Sequence, residues 1–219
     1  MKQTVDWHSY WTGKRPGFHE ASVNVYLQQF FPQFNLQPQD GVFLPLCGKA
    51  HDIQWLAQQD LNVVGVELSE VAIKSFFEEW EIDFDVSEEP DFRVFRSPNI
   101  TLYQGDYMHL KPEHLAHCKM VYDRASIVAI EPFNRQSYVN QLLNIVPQQI
   151  PILMVTLEYD QSVMSGPPFS VPVKEIEGLF EPDYRLTHLI TQEQINERER
   201  WRDKGLKSLL ETALRLDAR

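Results

Sequence analysis

Short, continuously apolar, β-branched runs separated by helix-like segments constrain this chain more than any other feature. Val42–Leu46 (VFLPL), Val63–Leu68 (VVGVEL), Ile100–Tyr103, Met120–Tyr122 and Ile150–Leu157 (IPILMVTL) are the strand candidates. A strand with one face in water alternates apolar and polar residues. Several of these runs do not, which is the pattern of strands buried on both faces in a parallel sheet. Between them, Ala50–Gln59 spaces Ile53, Leu56 and Ala57 at helical intervals. Ser69 stands where it can cap a helix over VAIKSFFEEW that buries Val71, Ala72, Phe76 and Phe77. Asn134–Val146 puts Tyr138, Leu142 and Ile145 on one stripe. The alternation over residues 41–157 predicts a doubly wound α/β fold.

Four segments fall outside that pattern. Residues 1–33 hold the aromatics Trp7, Tyr10, Trp11, Phe18, Tyr26, Phe30 and Phe31 and are expected to form helices at the sheet edge or mouth. Residues 80–98, rich in acids and containing Pro90 and Pro98, read as an insertion loop. Ser165–Pro172 (SGPPFSVP) is too rich in proline for regular structure, so a surface loop near the sheet's carboxyl end is expected. The tail is ambiguous: Leu206, Leu209, Leu210, Ala213 and Leu214 fit a helix by periodicity, while the last element of many such sheets is an antiparallel strand.

At 219 residues the chain can bury a core without disulfides or metals. Its net charge of −11 argues against a nucleic-acid partner, since phosphate contacts need a basic excess. Cys47 and Cys118 are the only cysteines, which fits a reducing compartment. No run approaches the ~20 apolar residues of a membrane span, and MKQTVDWHSYW has no apolar core of a signal peptide. A soluble, cytoplasmic, monomeric protein is the expectation.

The strongest chemical signal is the first strand and its turn, GVFLPLCGKAHD. A strand that ends in a glycine turn and opens a helix offers main-chain N–H groups to a ligand, at the crevice where doubly wound sheets bind nucleotides. With Gly48 alone and no G-x-G-x-x-G, that turn is weak by itself. Glu67 strengthens it. It ends the second strand about 20 residues past the turn, where an acid accepts hydrogen bonds from ribose hydroxyls. Lys49 is followed by no Ser or Thr, so there is no phosphate-binding P-loop. S-adenosylmethionine has a ribose, no phosphate and a sulfonium cation, which suits an acidic protein rich in aromatics. A third signal is Asp123-Arg124 at the end of the fourth strand, where Arg presents a rigid fork to carboxylates or polar edges. The plainer reading is an ion pair closing the strand.

Cys47 has no His or acid placed by sequence to activate it, so packing is its expected role. The seven histidines show no pairing with cysteine at zinc-ligand spacing, and no metal is expected. Asn196–Lys204 (NERERWRDK) reads as a solvated charged face.

Taken together, DWHSYWTGKRPGFH at 6–19, FLPLCGKAHDIQWLA at 43–57, VVGVELSEVAIKSFFEE at 63–79, VYDRASIVAI at 121–130 and GPPFSVP at 166–172 resemble the bacterial thiopurine S-methyltransferase family. The resemblance runs along nearly the whole chain. It implies a single methyltransferase domain over 1–219, with N-terminal lid helices at 1–35 and an α/β core at 36–219. The implied core is a mostly parallel, seven-stranded, Rossmann-like sheet with an antiparallel last strand. It also implies S-adenosylmethionine as methyl donor, held by Trp11, Leu46, Glu67 and Arg124, with the main chain at Gly48 and the pair Asp106-Tyr107 flanking it. Trp7 and Phe18 would help close the lid. A second family arginine falls on Arg200, with Arg198 as rival, and Asp123, Arg124 and Arg200 are the implied catalytic set.

The implied reaction is in-line methyl transfer to a thiopurine or another aromatic or heterocyclic thiol. Selenium and tellurium compounds, or another small O- or N-acceptor, are the alternatives within enzymes. A non-catalytic nucleoside-binding module is the alternative of another class.

Overall fold

A computed structural model of the chain describes residues 5, 7–12, 20–147, 150–181 and 183–219. Its strands are β1 (Gly41–Leu44), β2 (Asn62–Glu67), β3 (Asp85–Glu88), β4 (Arg93–Ser97), β5 (Ile100–Gln104), β6 (Cys118–Arg124), β7 (Ile152–Tyr159), β8 (Tyr184–Glu193) and β9 (Leu209–Ala218). The helices are α1 (Trp7–Thr12), α2 (Val25–Phe30), α3 (His51–Ala57), α4 (Glu70–Glu79), α5 (Arg135–Ile145), α6 (Val173–Phe180) and α7 (Glu199–Arg202). All nine strands belong to one sheet, in the order β3-β4-β5-β2-β1-β6-β7-β9-β8. Each of the five strand candidates is a strand, and β1, β2, β5 and β6 pair in parallel as their unbroken apolar runs require.

By its own contacts the chain divides into two compact units: Lys2–Tyr122 with Asn144–Pro147, and Asp123–Leu143 with Gln148–Arg219. In the N-terminal unit, β1 is buried along its whole length. The Ser69 side chain caps α4 by accepting from the Ala72 amide. That helix buries Ala72, Ile73, Phe76 and Phe77. Val71, expected inside, is 48 % exposed, because the inward stripe runs through Ala72, Ile73, Phe76 and Phe77. Asn24 caps α2, and its own amide donates to the buried Asp52 at the start of α3, which ties the N-terminal segment down.

Residues 80–98 are not an irregular loop. Strand β3 pairs antiparallel with β4, and β4 with β5, extending the sheet. Phe84 packs between Phe77 and Phe95, with ring centroids 4.7 and 5.6 Å away, and this aromatic layer holds the extension. Two of the acids that suggested a loop pair with arginines of β4: Glu88 with Arg93 at 3.1 Å and Glu89 with Arg96 at 2.7 Å.

Tyr138, Leu142 and Ile145 are the buried stripe of α5, as their spacing predicts. The tail is a strand, β9, antiparallel to both β7 and β8. Its helical periodicity misleads because both faces of β9 are covered, so apolar residues occur at consecutive positions. Without the β3–β4 extension, the remaining seven strands are the number the resemblance implies, antiparallel last strand included.

Candidate active site

The turn after β1 is built around a left-handed backbone. Leu46 has φ 46° and Gly48 φ 54°. A Cβ at Gly48 would stand 2.9 Å from the indole of Trp11, so both the conformation and the close ring call for glycine. Trp11, half-buried on α1, therefore lies directly against the turn. Behind the turn, Cys47 packs on β2, where a Cβ at Gly65 would meet its Sγ at 2.7 Å. Burial, and then the charge of Glu67, push the Cys47 thiol well above its ordinary pKa. It stays protonated and packed, as expected for a structural cysteine.

Glu67, at the tip of β2, is 7 % exposed. Its Oε2 accepts from the Gly48 amide at 2.9 Å and its Oε1 from the Ser69 amide at 2.8 Å. Gln104 at the end of β5 donates to the Leu68 carbonyl at 3.0 Å, steadying the same corner. Lys49 turns away from this corner and pairs with Glu79 of α4. Its charge is engaged there, and the turn has the chemistry of a diol-binding corner more than of a phosphate cradle.

After β5, the half-buried Asp106 caps a short 3-10 turn, accepting from the Met108 amide at 2.9 Å. Tyr107 is only 2 % exposed, so the structure places its ring in the core and leaves Asp106 as the reachable member of the pair.

Asp123, near the end of β6, is completely buried. Its Oδ1 accepts from the Ser126 and Ile127 amides at 3.1 and 3.3 Å, and its Oδ2 from the Tyr138 hydroxyl at 2.7 Å. Desolvation raises its pKa, against these hydrogen bonds, which lower it. A carboxylate sealed this way presents no surface of its own, and its hydrogen bonds go to the main chain and side chains that follow β6. The backbone it pins carries Arg124, half-buried, followed by Ala125 in the left-handed region at φ 59°. The Ala125 amide donates to the Val155 carbonyl at 3.2 Å.

Residues 165–172 form a strap, not a free surface loop. The Phe169 amide donates to the Val128 carbonyl at 2.6 Å, and the Val171 amide to the Leu157 carbonyl at 2.7 Å. Arg135, 2 % exposed, donates to the Ile130 and Ser170 carbonyls and pairs with Glu175 at 2.7 Å. The Tyr159 hydroxyl donates to the Pro168 carbonyl, and the Tyr159 ring lies 6.1 Å from that of Trp201. Trp201 is buried with Met164, Ile195, Leu206 and Leu209. The segment bearing the two candidate arginines is thus anchored beside the strap. Within it Arg198 is half-buried, while Arg200 is exposed with its guanidinium 6.0 Å from the Trp201 ring. A solvated face is the correct reading of most of this stretch, except Trp201.

The sequence reading missed Arg135 and the second job of Ser69. Arg135 carries no local signal, since a lone arginine opening a helix looks solvated. Ser69 was recognised as a cap, but its amide's reach to Glu67 depends on where β2 ends. Phe18, a proposed lid residue, lies outside the described residues, while Trp7 sits 5.5 Å from Tyr10 on α1. Among the described residues there is no cluster fit to hold a metal ion and no helix long and apolar enough to cross a membrane.

The fold is similar to that of a methyltransferase from Anabaena variabilis described as S-adenosylmethionine-dependent, with a TM-score of 0.63 and 14 % identity over 97 % of this chain and 93 % of that one. It is also similar to phosphoethanolamine N-methyltransferase 2 of Haemonchus contortus, solved with S-adenosylhomocysteine, with a TM-score of 0.66 and 12 % identity over 99 % of this chain and 60 % of that one. These likenesses define a methyltransferase fold. The model of the thiopurine S-methyltransferase family matches residues 2–219. A thiopurine S-methyltransferase from Marinobacter nauticus is 41 % identical over 92 % of both chains. The chain belongs to the thiopurine S-methyltransferase family and is an S-adenosylmethionine-dependent methyltransferase.

Proposed function

We propose that this chain methylates the sulfur of thiopurines or other aromatic and heterocyclic thiols by direct in-line transfer. The observation that carries the donor half is the Glu67 carboxylate, set at the tip of β2 by the amides of Gly48 and Ser69. A carboxylate oxygen can accept more than one hydrogen bond, which suits the two hydroxyls of a ribose. Trp11 against Gly48 would bound the donor on one side, with Leu46 beside it and Asp106 near the adenine. When bound, S-adenosylmethionine supplies a methyl group already activated by its sulfonium charge.

The work left to the protein is alignment, exclusion of water and control of the acceptor's charge. Aromatic heterocyclic thiols ionise near neutral pH, so no strong base is required. Arg124 is assigned to the acceptor thiolate and to the donor's amino-acid end. Its orientation follows from the turn that Asp123 pins on one side and Ala125 reverses on the other. Arg200, or Arg198, is assigned to the acceptor from the segment anchored by Trp201.

The test is the conversion of S-adenosylmethionine to S-adenosylhomocysteine with a thiopurine, and with selenite or a phenol as competing acceptors. Preferential methylation of the thiol supports the reading. Turnover only with an oxygen, nitrogen or selenium acceptor overturns it, and no turnover with any acceptor favours a binding module. The arginines are separated by kcat against pH at saturating donor and acceptor, which reports the ionisation of the bound thiol. If a guanidinium favours the thiolate, Arg124→Met or Arg200→Met raises the acceptor's apparent pKa. The defect is then largest below the free thiol pKa and shrinks above it. Lys restores part of the loss, since it keeps the charge but not the planar fork. A normal profile in Arg200→Met with a shifted one in Arg198→Met moves the assignment to Arg198.

A further inference from the structure

We infer that Lys49 is a positioning residue that locks the donor-binding turn to helix α4 and thereby fixes the Glu67 carboxylate. The inference rests on the donor site proposed above. A lysine that follows the glycine of a β1 turn is placed to reach a phosphate. Here its Nζ lies 3.2 Å from the Ser75 hydroxyl and pairs with the Glu79 carboxylate, and Ser75 and Glu79 are themselves 3.2 Å apart. The Lys49 side chain is 13 % exposed, so the pair is shielded on the lysine side.

The consequence lies in the connectivity. Glu67 is held by two amides from different elements: Gly48 in the turn after β1, and Ser69 at the cap of α4. The relative placement of those two N–H groups decides whether one carboxylate can accept from both. Ser69 is continuous with α4. Lys49 fastens the residue next to Gly48 to the far end of the same helix. The latch therefore closes a ring through Glu67, Ser69, α4, Glu79, Lys49 and Gly48. Loss of the lysine charge lets the turn drift from α4 and loosens the carboxylate without touching the ligand. The same pairing engages the turn's ammonium group and so selects against a phosphorylated ligand.

The experiment is calorimetric binding of S-adenosylhomocysteine to the full chain and to Lys49→Met, Lys49→Glu, Glu79→Gln and the double swap Lys49→Glu/Glu79→Lys. Lys49→Met and Glu79→Gln are expected to weaken binding about three- to tenfold, the range of a partly shielded ion pair. Lys49→Glu is the weakest binder, and the swap recovers to within about twofold of the parent. The acceptor KM at saturating donor stays unchanged. Parent-like affinity in a folded Lys49→Met protein overturns the latch, as does a swap no better than Lys49→Glu or a parallel rise in acceptor KM. Should Lys49→Met fail to fold, Glu79→Gln decides, because Glu79 is half-exposed. A parent that does not bind S-adenosylhomocysteine refutes the donor site itself, whereas a binding parent with an indifferent Lys49→Met refutes only the latch.

Discussion

Glu67 and Asp123 each stand at or near the carboxyl end of a buried strand, and each accepts from two main-chain amides just beyond it. The two differ in which oxygen takes which donor. At Glu67 the amides are split, one to each oxygen, and the side chain keeps 7 % of its surface exposed. At Asp123 one oxygen takes both amides and the other takes the Tyr138 hydroxyl, with no exposed surface left. A neutral amide side chain could serve at 123, because its oxygen would keep the amides and its NH₂ would face a hydroxyl that can also accept. It could not serve at 67, where an NH₂ would oppose an N–H donor. The comparison separates a side chain that needs two accepting oxygens from one that only has to be polar and well shaped.

The largest effect belongs to the sealed group. Asp123→Ala leaves two amides and the hydroxyls of Tyr138 and Ser126 buried without their acceptor and is expected to lose about 2–4 kcal/mol of stability in urea titrations. Asp123→Asn is expected to lose less than about 1 kcal/mol and to keep turnover, since the residue only positions Arg124. An Asn variant that folds but is inactive restores Asp123 to a chemical role. The pH dependence has a defined sign. Burial raises the folded pKa of Asp123, so the folded state holds its proton more tightly than the unfolded state. Its contribution to stability is fullest at low pH and is lost as pH rises from about 4 through the raised value. Stability curves of the parent and Asp123→Asn should therefore diverge in that direction, and a parent that gains stability relative to Asn on raising pH contradicts the assignment.

Next comes the split carboxylate. Glu67→Ala removes a charged hydrogen-bond partner of the ribose, worth about 1.5–3 kcal/mol, or roughly one to two decades of donor affinity by calorimetry. Glu67→Gln is expected to fall close to Ala, unlike the gentle Asn at 123. A Gln variant that binds like the parent breaks the contrast. Smaller again is Gly48→Ala, for which the left-handed φ of 54° costs about 1 kcal/mol and the new methyl pushes on Trp11. A several-fold loss of donor affinity with altered tryptophan fluorescence is the expected result, and unchanged emission would detach Trp11 from the turn. The least effect on activity is expected at Cys47. Cys47→Ala should retain turnover, because its thiol is buried and protonated. Abolished turnover with intact donor binding is the contrary outcome.

Much of this was legible in the chain. The runs VFLPL and VVGV declare themselves as buried parallel strands because they carry no polar side chain, and Ser69 declares the start of α4. Glu67 is legible as a candidate site residue for the same reason: a charge that ends an apolar strand is placed where a doubly wound sheet opens its crevice. Residues 80–98 were not legible, since the aromatic layer of Phe77, Phe84 and Phe95 that makes them strands joins three separate segments. The tail failed by periodicity alone, because a strand covered on both faces has no period of two to show.

What the sequence by itself determined is the local and the repetitive: which runs are strands, where α4 begins, and the family. Tertiary structure decided how each polar side chain is used. Asp123 and Glu67 are both strand-end acids in the sequence, and only the fold seals one completely under Tyr138 and leaves the other 7 % exposed. Arg135 and Lys49 look like solvated cations until Glu175, Ser170, Ser75 and Glu79 are brought to them. The physical reason is range. Apolar burial and backbone conformation are set by neighbours along the chain, whereas a charge takes its role from partners that only folding brings within hydrogen-bond distance.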